Sequence, residues 1–182
     1  MQHQVEARAL RLFLGLPLPP ASCEALVGWQ QGQPGIERWS PPGGLHLTLA
    51  FLGGRTPEAL PILEACTAAV AGRHGTFDLC TAALGGFPTL RATRVLWLGL
   101  APCPALEALA VDLRETLAAC GEVFDAKPFH PHLTLARFHR ARSVAGFIAP
   151  APMGFKADSL VLFESRPQGC YTPLRTWHFR GV

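Results

Sequence analysis

The sequence predicts one domain of mixed helices and strands, assembled from two related halves. Three observations point that way. The pentapeptide His-Leu-Thr-Leu-Ala occurs twice, at 46–50 and 132–136. The copies lie 86 residues apart, about half of the 182-residue length. Each copy follows the same succession: an apolar strand pattern, a helix pattern, then prolines. A chain of this length fits a single domain with a substantial core. Its composition, 49% hydrophobic and 16% charged, excludes a disordered chain.

Taken in order, residues 9–18 (ALRLFLGLPL) form an apolar run that ends at Pro17, Pro19 and Pro20, the pattern of a buried strand. Residues 20–31 look helical, with Ala25, Leu26 and Trp29 on one side, and glycines at 32 and 35 stop them. Pro41-Pro42-Gly43-Gly44 turns the chain into the first pentapeptide. Alternation makes that pentapeptide a strand, His46 and Thr48 on one face and the leucines on the other. Thr56 as N-cap and Pro57 in the first turn open a second helix, with Leu60, Leu63, Cys66 or Thr67, and Val70 as its buried stripe. Residues 77–84 and 95–100 read as strands joined through Gly85-Gly86-Phe87-Pro88. The clearest helix follows Pro102 and Pro104, with Leu106, Leu109, Ala110, Leu113 and Leu117 at helical spacing. The second pentapeptide repeats the His132, Thr134 pattern and runs into a basic cluster, Arg137, His139, Arg140 and Arg142. Residues 154–164 and 174–179 supply the last strands. The 1–182 chain is thus expected to be one domain with two similar lobes, each contributing one His-x-Thr-x segment, 46–49 and 132–135.

Apolar runs are too short and too interrupted to span a bilayer, and residues 1–9 lack the apolar centre of a signal peptide. A cytoplasmic protein is expected. Net charge is +3, and 14 of the 16 basic residues are arginine. Arginine suits forked recognition of phosphate, although a GC-rich coding bias produces the same excess. None of the six cysteines is spaced as CxxC, so a zinc ribbon or a thioredoxin-like site is disfavoured. Cys66 and Cys120 fall in apolar helical patterns, as small buried hydrophobes, and no disulfide is expected.

Two His-x-Thr pairs on rigid strands are a sharper signal. Two imidazoles with ordinary pKa values near ~6.5 can hold opposite protonation states around neutrality. One takes a proton from a nucleophile and its counterpart gives one to a leaving group, each role being worth roughly 10²–10⁴-fold. Displacement at phosphorus needs them on opposite sides of the phosphate, and the threonine hydroxyls can donate to its oxygens. This chemistry requires no metal and no cofactor. His130-Pro131-His132 is a weak metal pair, lacking carboxylate or cysteine company. His3, His74, His139 and His178 fit surface or packing roles, and the four tryptophans fit core or rim positions.

The stretches RLFLGLPLPP, RWSPPGGLHLTLAFLG and FHPHLTLAR resemble the 2H phosphoesterase superfamily, and within it the LigT-like RNA 2′,3′-cyclic phosphodiesterases historically called 2′-5′ RNA ligases. The resemblance implies an α+β, bilobal fold with a pseudo-twofold, antiparallel sheets lining a central cleft and helices outside. It implies hydrolysis of an RNA 2′,3′-cyclic phosphate, on RNA ends such as tRNA fragments or on a nucleoside 2′,3′-cyclic phosphate, to a 2′-phosphomonoester. His46 would then be the proton donor to the 3′ oxygen and His132 the proton acceptor that activates water. Thr48 and Thr134 would hold the phosphate, Arg137 would contact phosphate or ribose, and Phe51 would neighbour base or ribose. Strict alternation, however, puts Phe51 and Arg137 on the leucine face, away from the histidines.

Three other functions compete. The reverse reaction joins a cyclic phosphate to a 5′-hydroxyl, but water at ~55 M outcompetes an RNA hydroxyl unless that RNA is held close. No GxxxxGK[ST] loop supports ATP-driven joining. An RNA-end binding module without turnover would use the same arginines and aromatics. A metalloenzyme would lose its activity in chelator.

Overall fold

The computed structural model describes residues 9–33, 35–36 and 38–181, so the expectations for the N-terminal stretch 1–8, His3 included, lie outside the described residues. Among the described residues the strands and α-helices follow in the order β1 (Leu10–Pro17), α1 (Pro20–Gln31), β2 (His46–Arg55), α2 (Leu60–Ala71), β3 (Phe77–Phe87), β4 (Thr93–Leu100), α3 (Pro104–Ala119), β5 (His132–Arg142), β6 (Gly154–Ala157), β7 (Ser159–Ser165) and β8 (Tyr171–His178).

The eight strands form one sheet in the order β6-β3-β4-β5-β2-β1-β7-β8, every named pair antiparallel. That order is symmetric about its middle. The two pentapeptide strands, β5 and β2, are the central pair, and each is followed outward by the strand that precedes its own helix, β4 or β1. The strand-helix-strand succession read in the sequence is therefore repeated as β1-α1-β2 and β4-α3-β5. Between β2 and β5 the ladder is brief, with Leu47 facing Leu133. Four strands extend on either side of that seam.

The core sits on the leucine side of the sheet. Leu47, Leu49, Leu133 and Leu135 are at most 4% exposed, and they join Leu12, Leu14, Leu96 and Leu98 against Leu63, Leu109, Leu113 and Leu117 of α2 and α3. Burying each such side chain contributes about 1.5–3 kcal/mol, so the periodicity that marks the strands also fixes which face turns inward.

Three sequence expectations are corrected. Thr56 makes no side-chain cap bond; Pro57–Ala59 form a 3₁₀ turn that leads into α2. Gly85, Gly86 and Phe87 continue β3 rather than forming a connection, pairing with Trp97, Leu96 and Val95 of β4; the Trp97 indole covers Gly85, where a Cβ would come within 2.0 Å of the ring. Cys66 and Cys120 are joined in a disulfide that links α2 to the C-terminal end of α3. Those helices pack side by side, which brings together two thiols 54 residues apart in sequence. Cys66 is buried as expected, whereas Cys120 is exposed.

Candidate active site

The seam between β2 and β5 builds the site. Leu47 pairs with Leu133 in antiparallel register. The flanking positions follow from that register: His46 lies across from Thr134, and Thr48 across from His132. The four side chains make a diagonal square, histidine against threonine in both rows. Diagonal neighbours in such a ladder lie on the order of 7–8 Å apart, their Cβ atoms somewhat closer. That spacing leaves two imidazoles room to flank one tetrahedral group. All four residues are partly exposed, while the leucines between them are buried.

Phe51 and Arg137 reach the same face because both strands carry a bulge at the same place. In β1–β2 the register passes from Leu14–Ala50 to Gly15–Thr48, skipping Leu49. In β4–β5 it passes from Leu96–Ala136 to Trp97–Thr134, skipping Leu135. Two consecutive residues are buried in each strand, Leu49 with Ala50 and Leu135 with Ala136, and the alternation restarts one residue out of phase. Arg137 is thereby exposed and close enough for its charge to act on both His46 and His132. Phe51 packs beside Phe13, Val161, Phe163 and Tyr171, with the Arg11 guanidinium 5.0 Å from its ring centre.

The two imidazoles are held alike. His46 Nδ1 lies 3.0 Å from the carbonyl oxygen of Gly44, and His132 Nδ1 lies 2.6 Å from that of His130. Both partners sit two residues upstream. A carbonyl can only accept, so Nδ1 carries the hydrogen in each ring and Nε2 is left as the working nitrogen. In His46, Nε2 lies 3.0 Å from Thr48 Oγ1, whose hydroxyl donates to it while the ring is neutral.

Aromatic rings enclose both histidines. Around His46 stand Phe13, Tyr171 and Phe163, with ring centres 4.5, 4.6 and 5.8 Å away. Around His132 stand Phe87 at 5.5 Å and Trp97 and His130 at 6.0 Å. Loss of hydration disfavours the charged ring, and this is the main reason His46 is pushed down to about 4. Its bond to Gly44 opposes the shift, and the positive charges of Arg137 and His132 add to it. His132 is lowered for the same leading reason, its bond to the His130 carbonyl opposing and His130 and Arg137 contributing. Both shifts favour the neutral ring at pH 7.

Beside this square lies a cavity of about 320 Å³ lined by Arg38, Trp39, Ser40, Arg137, His139 and Tyr171, among others. Its far wall is the segment before β2, fastened to β5 by the Trp39–Ala136 bridge and the bond from Ser40 N–H to the Leu135 oxygen. The sequence offered no signal for that long-range pairing. Tyr171 could have been noticed as the chain's single tyrosine. Of the other histidines, His139 lines the cavity, His130 stands in the aromatic group beside His132, and His74 bonds Asp112 at 2.8 Å, away from the site. Among the described residues no group of three His, Cys, Asp or Glu side chains is placed to share a metal ion.

The sequence profile of the 2′-5′ RNA ligase superfamily matches residues 18–168. A curated RNA 2′,3′-cyclic phosphodiesterase of Escherichia coli is 34% identical over 179 residues, covering 92% of this chain and 95% of its own. Another from Geobacillus stearothermophilus is 34% identical over 128 residues, which span 69% of this chain but only 41% of that protein. Among solved structures, Escherichia coli LigT complexed with 3′-AMP superposes with a TM-score of 0.77 at 33% identity, over 94% of this chain and 98% of that one.

Proposed function

The chain belongs to the 2′-5′ RNA ligase superfamily, and on that premise we propose that it hydrolyses RNA 2′,3′-cyclic phosphate ends to 2′-phosphomonoesters. The observation that carries the proposal is the diagonal square: two imidazoles on paired strands, each with Nδ1 committed to a backbone carbonyl and Nε2 left for proton transfer, that of His46 accepting from Thr48 Oγ1. The naming of relatives as RNA 2′,3′-cyclic phosphodiesterases supports the substrate class. The two halves act as one unit, each giving one His-x-Thr strand.

In this mechanism the phosphate lies between the rings. His132 Nε2 takes a proton from water as the water oxygen bonds to phosphorus. The bond from phosphorus to the 3′ oxygen breaks, and protonated His46 gives its Nε2 proton to that oxygen. The products are a 2′-phosphate and a 3′-hydroxyl. Thr48, Thr134 and Arg137 donate hydrogen bonds to the non-bridging oxygens, where charge accumulates. His46 must be charged to act as the acid, and its burial opposes that. The negative phosphodiester supplies the missing counter-charge, so the ring gains its proton in the complex rather than in the free protein. Phe51 neighbours the ribose or base. The proposed substrates include the ends of tRNA fragments, and a cytoplasmic location is part of the same reading.

The test is direct. RNA ending in a 2′,3′-cyclic phosphate is incubated with the protein in chelator and without ATP, and the product is identified by ³¹P NMR. A 2′-phosphomonoester is expected. A 3′-phosphate, or turnover that requires added metal, overturns the proposal.

A further inference from the structure

Arginines are unevenly matched with carboxylates across the molecule. Arg55, Arg73, Arg166 and Arg175 each meet one, on Glu122, Asp112, Glu164 and Glu64. At the far end of β4 and β5 the pattern reverses. Arg91, Arg94, Arg137, Arg140 and Arg142 meet no carboxylate among the described residues. Arg94 donates to the His139 oxygen at 2.9 Å, and Arg142 to the Gly35 oxygen while lying over Phe138. Arg91, Arg137 and Arg140 are exposed and make no such bond among the described residues.

These groups are held together by the fold. Thr93 faces Arg142 and Val95 faces Arg137, so residues 138–141 of β5 bow out opposite the single residue Arg94. The Leu90 oxygen accepts from Val144 N–H, which brings the turn carrying Arg91 beside the end of β5. The cluster is continuous with the candidate active site, since Arg137 belongs to both and the cavity lined by Arg38, Arg137 and His139 lies between them. Five cations without local acids, leading away from a phosphate site, repel one another unless a polyanion neutralises them.

Resting on the function proposed above, we infer that the far end of β4 and β5 is the track for the RNA chain upstream of the cyclic end. The strand leaves the cleft through the cavity past Arg137, and its following phosphates lie against Arg91, Arg94 and Arg140. The substrate is then an oligonucleotide held by several phosphates, and a mononucleoside cyclic phosphate is a truncated version of it. Each phosphate contact on a single strand steepens the salt dependence of binding by roughly 0.7 in log–log slope.

The experiment uses the full chain and a fluorescein-labelled six-nucleotide RNA with a 2′-phosphate end, followed by anisotropy between 50 and 200 mM salt. Turnover of a mononucleoside 2′,3′-cyclic phosphate is measured alongside. Arg91→Gln/Arg140→Gln removes two charges that hold no other group. This variant is expected to weaken hexamer binding roughly tenfold at low salt and to lower the salt slope by about 1.4. Mononucleoside turnover should stay as in wild type. A pair in and just after β8, Arg175→Gln/Arg180→Gln, should leave hexamer binding within about twofold, since β2, β1 and β7 stand between β8 and β5 and charges more than a Debye length of about 10 Å apart are largely screened. Unchanged hexamer binding in the first variant, an equal loss in both variants, or an equal loss on the mononucleoside overturns the track. If the hexamer binds with the expected slope but its cyclic-phosphate counterpart is not hydrolysed, the track stands and the proposed function fails.

Discussion

Replacing Arg137 by Gln perturbs two things at once, and the proposed mechanism links them. Its guanidinium is a cation that acts on both histidines, and in the proposed mechanism it also donates to the phosphate. A lost charge-assisted hydrogen bond costs about 1.5–3 kcal/mol. That corresponds to a fall in kcat/KM of roughly 10- to 150-fold. The second effect is on pH. Catalysis requires one ring charged and the other neutral, so kcat/KM follows a bell whose limbs belong to the free protein. With His46 pushed down to about 4 and His132 also below its ordinary value, the bell of the native protein peaks on the acid side of 6.5. Burial is the larger cause and remains in the variant; the positive charge does not. Both imidazoles therefore become easier to protonate, and the bell moves to higher pH as its height drops. Initial rates on a nucleoside 2′,3′-cyclic phosphate between pH 3.5 and 9 read both effects. Arg137→Lys keeps the charge and should keep the position of the bell while losing part of its height. A bell that shrinks without moving, or that moves toward acid, refutes the electrostatic role of Arg137.

Two other expectations concern the same square. Thr48→Val and Thr134→Val each remove one donor from the phosphate and should lower kcat by roughly 10²-fold with little change in KM, checked by steady-state kinetics. His46 also makes folding pH-dependent. The folded protein keeps this ring neutral down to about 4, whereas the unfolded chain takes up its proton near 6.5. The unfolded state thus binds more protons in that window, and stability falls as pH drops from 6.5 to 4 by at most about 3 kcal/mol. Urea denaturation at pH 7 and pH 4 measures the loss, and His46→Gln should remove most of that pH-dependent part.

The histidine-threonine pairs and the overall order of elements were legible because they rest on local periodicity. Alternation set the polar face of β2 and β5, and helical spacing set the buried stripes of α2 and α3. The seam was legible for a different reason: a repeated pentapeptide is a long-range signal carried in local sequence. What alternation could not give was the place where alternation breaks. Leu49-Ala50 and Leu135-Ala136 read as ordinary strand residues, yet each hosts the bulge that brings Phe51 or Arg137 onto the histidine face. The surroundings of the imidazoles were hidden too. Tyr171, Phe163, Phe87 and Trp97 come from β8, β7, β3 and β4, and only the sheet order brings them to the seam. The Cys66–Cys120 link was unreadable for the same reason, since it depends on how two helices pack.

The division of labour between the two rings is best tested with a substrate whose 3′ bridging oxygen is replaced by sulfur. A thiolate leaves without needing a proton, so the acid becomes dispensable while the base does not. His46→Ala, slowed roughly 10²–10⁴-fold on the oxygen substrate, should recover to near the native rate on the sulfur one, and His132→Ala should stay slow on both. Recovery of His132→Ala instead, or of neither variant, would contradict the assignment of donor and acceptor.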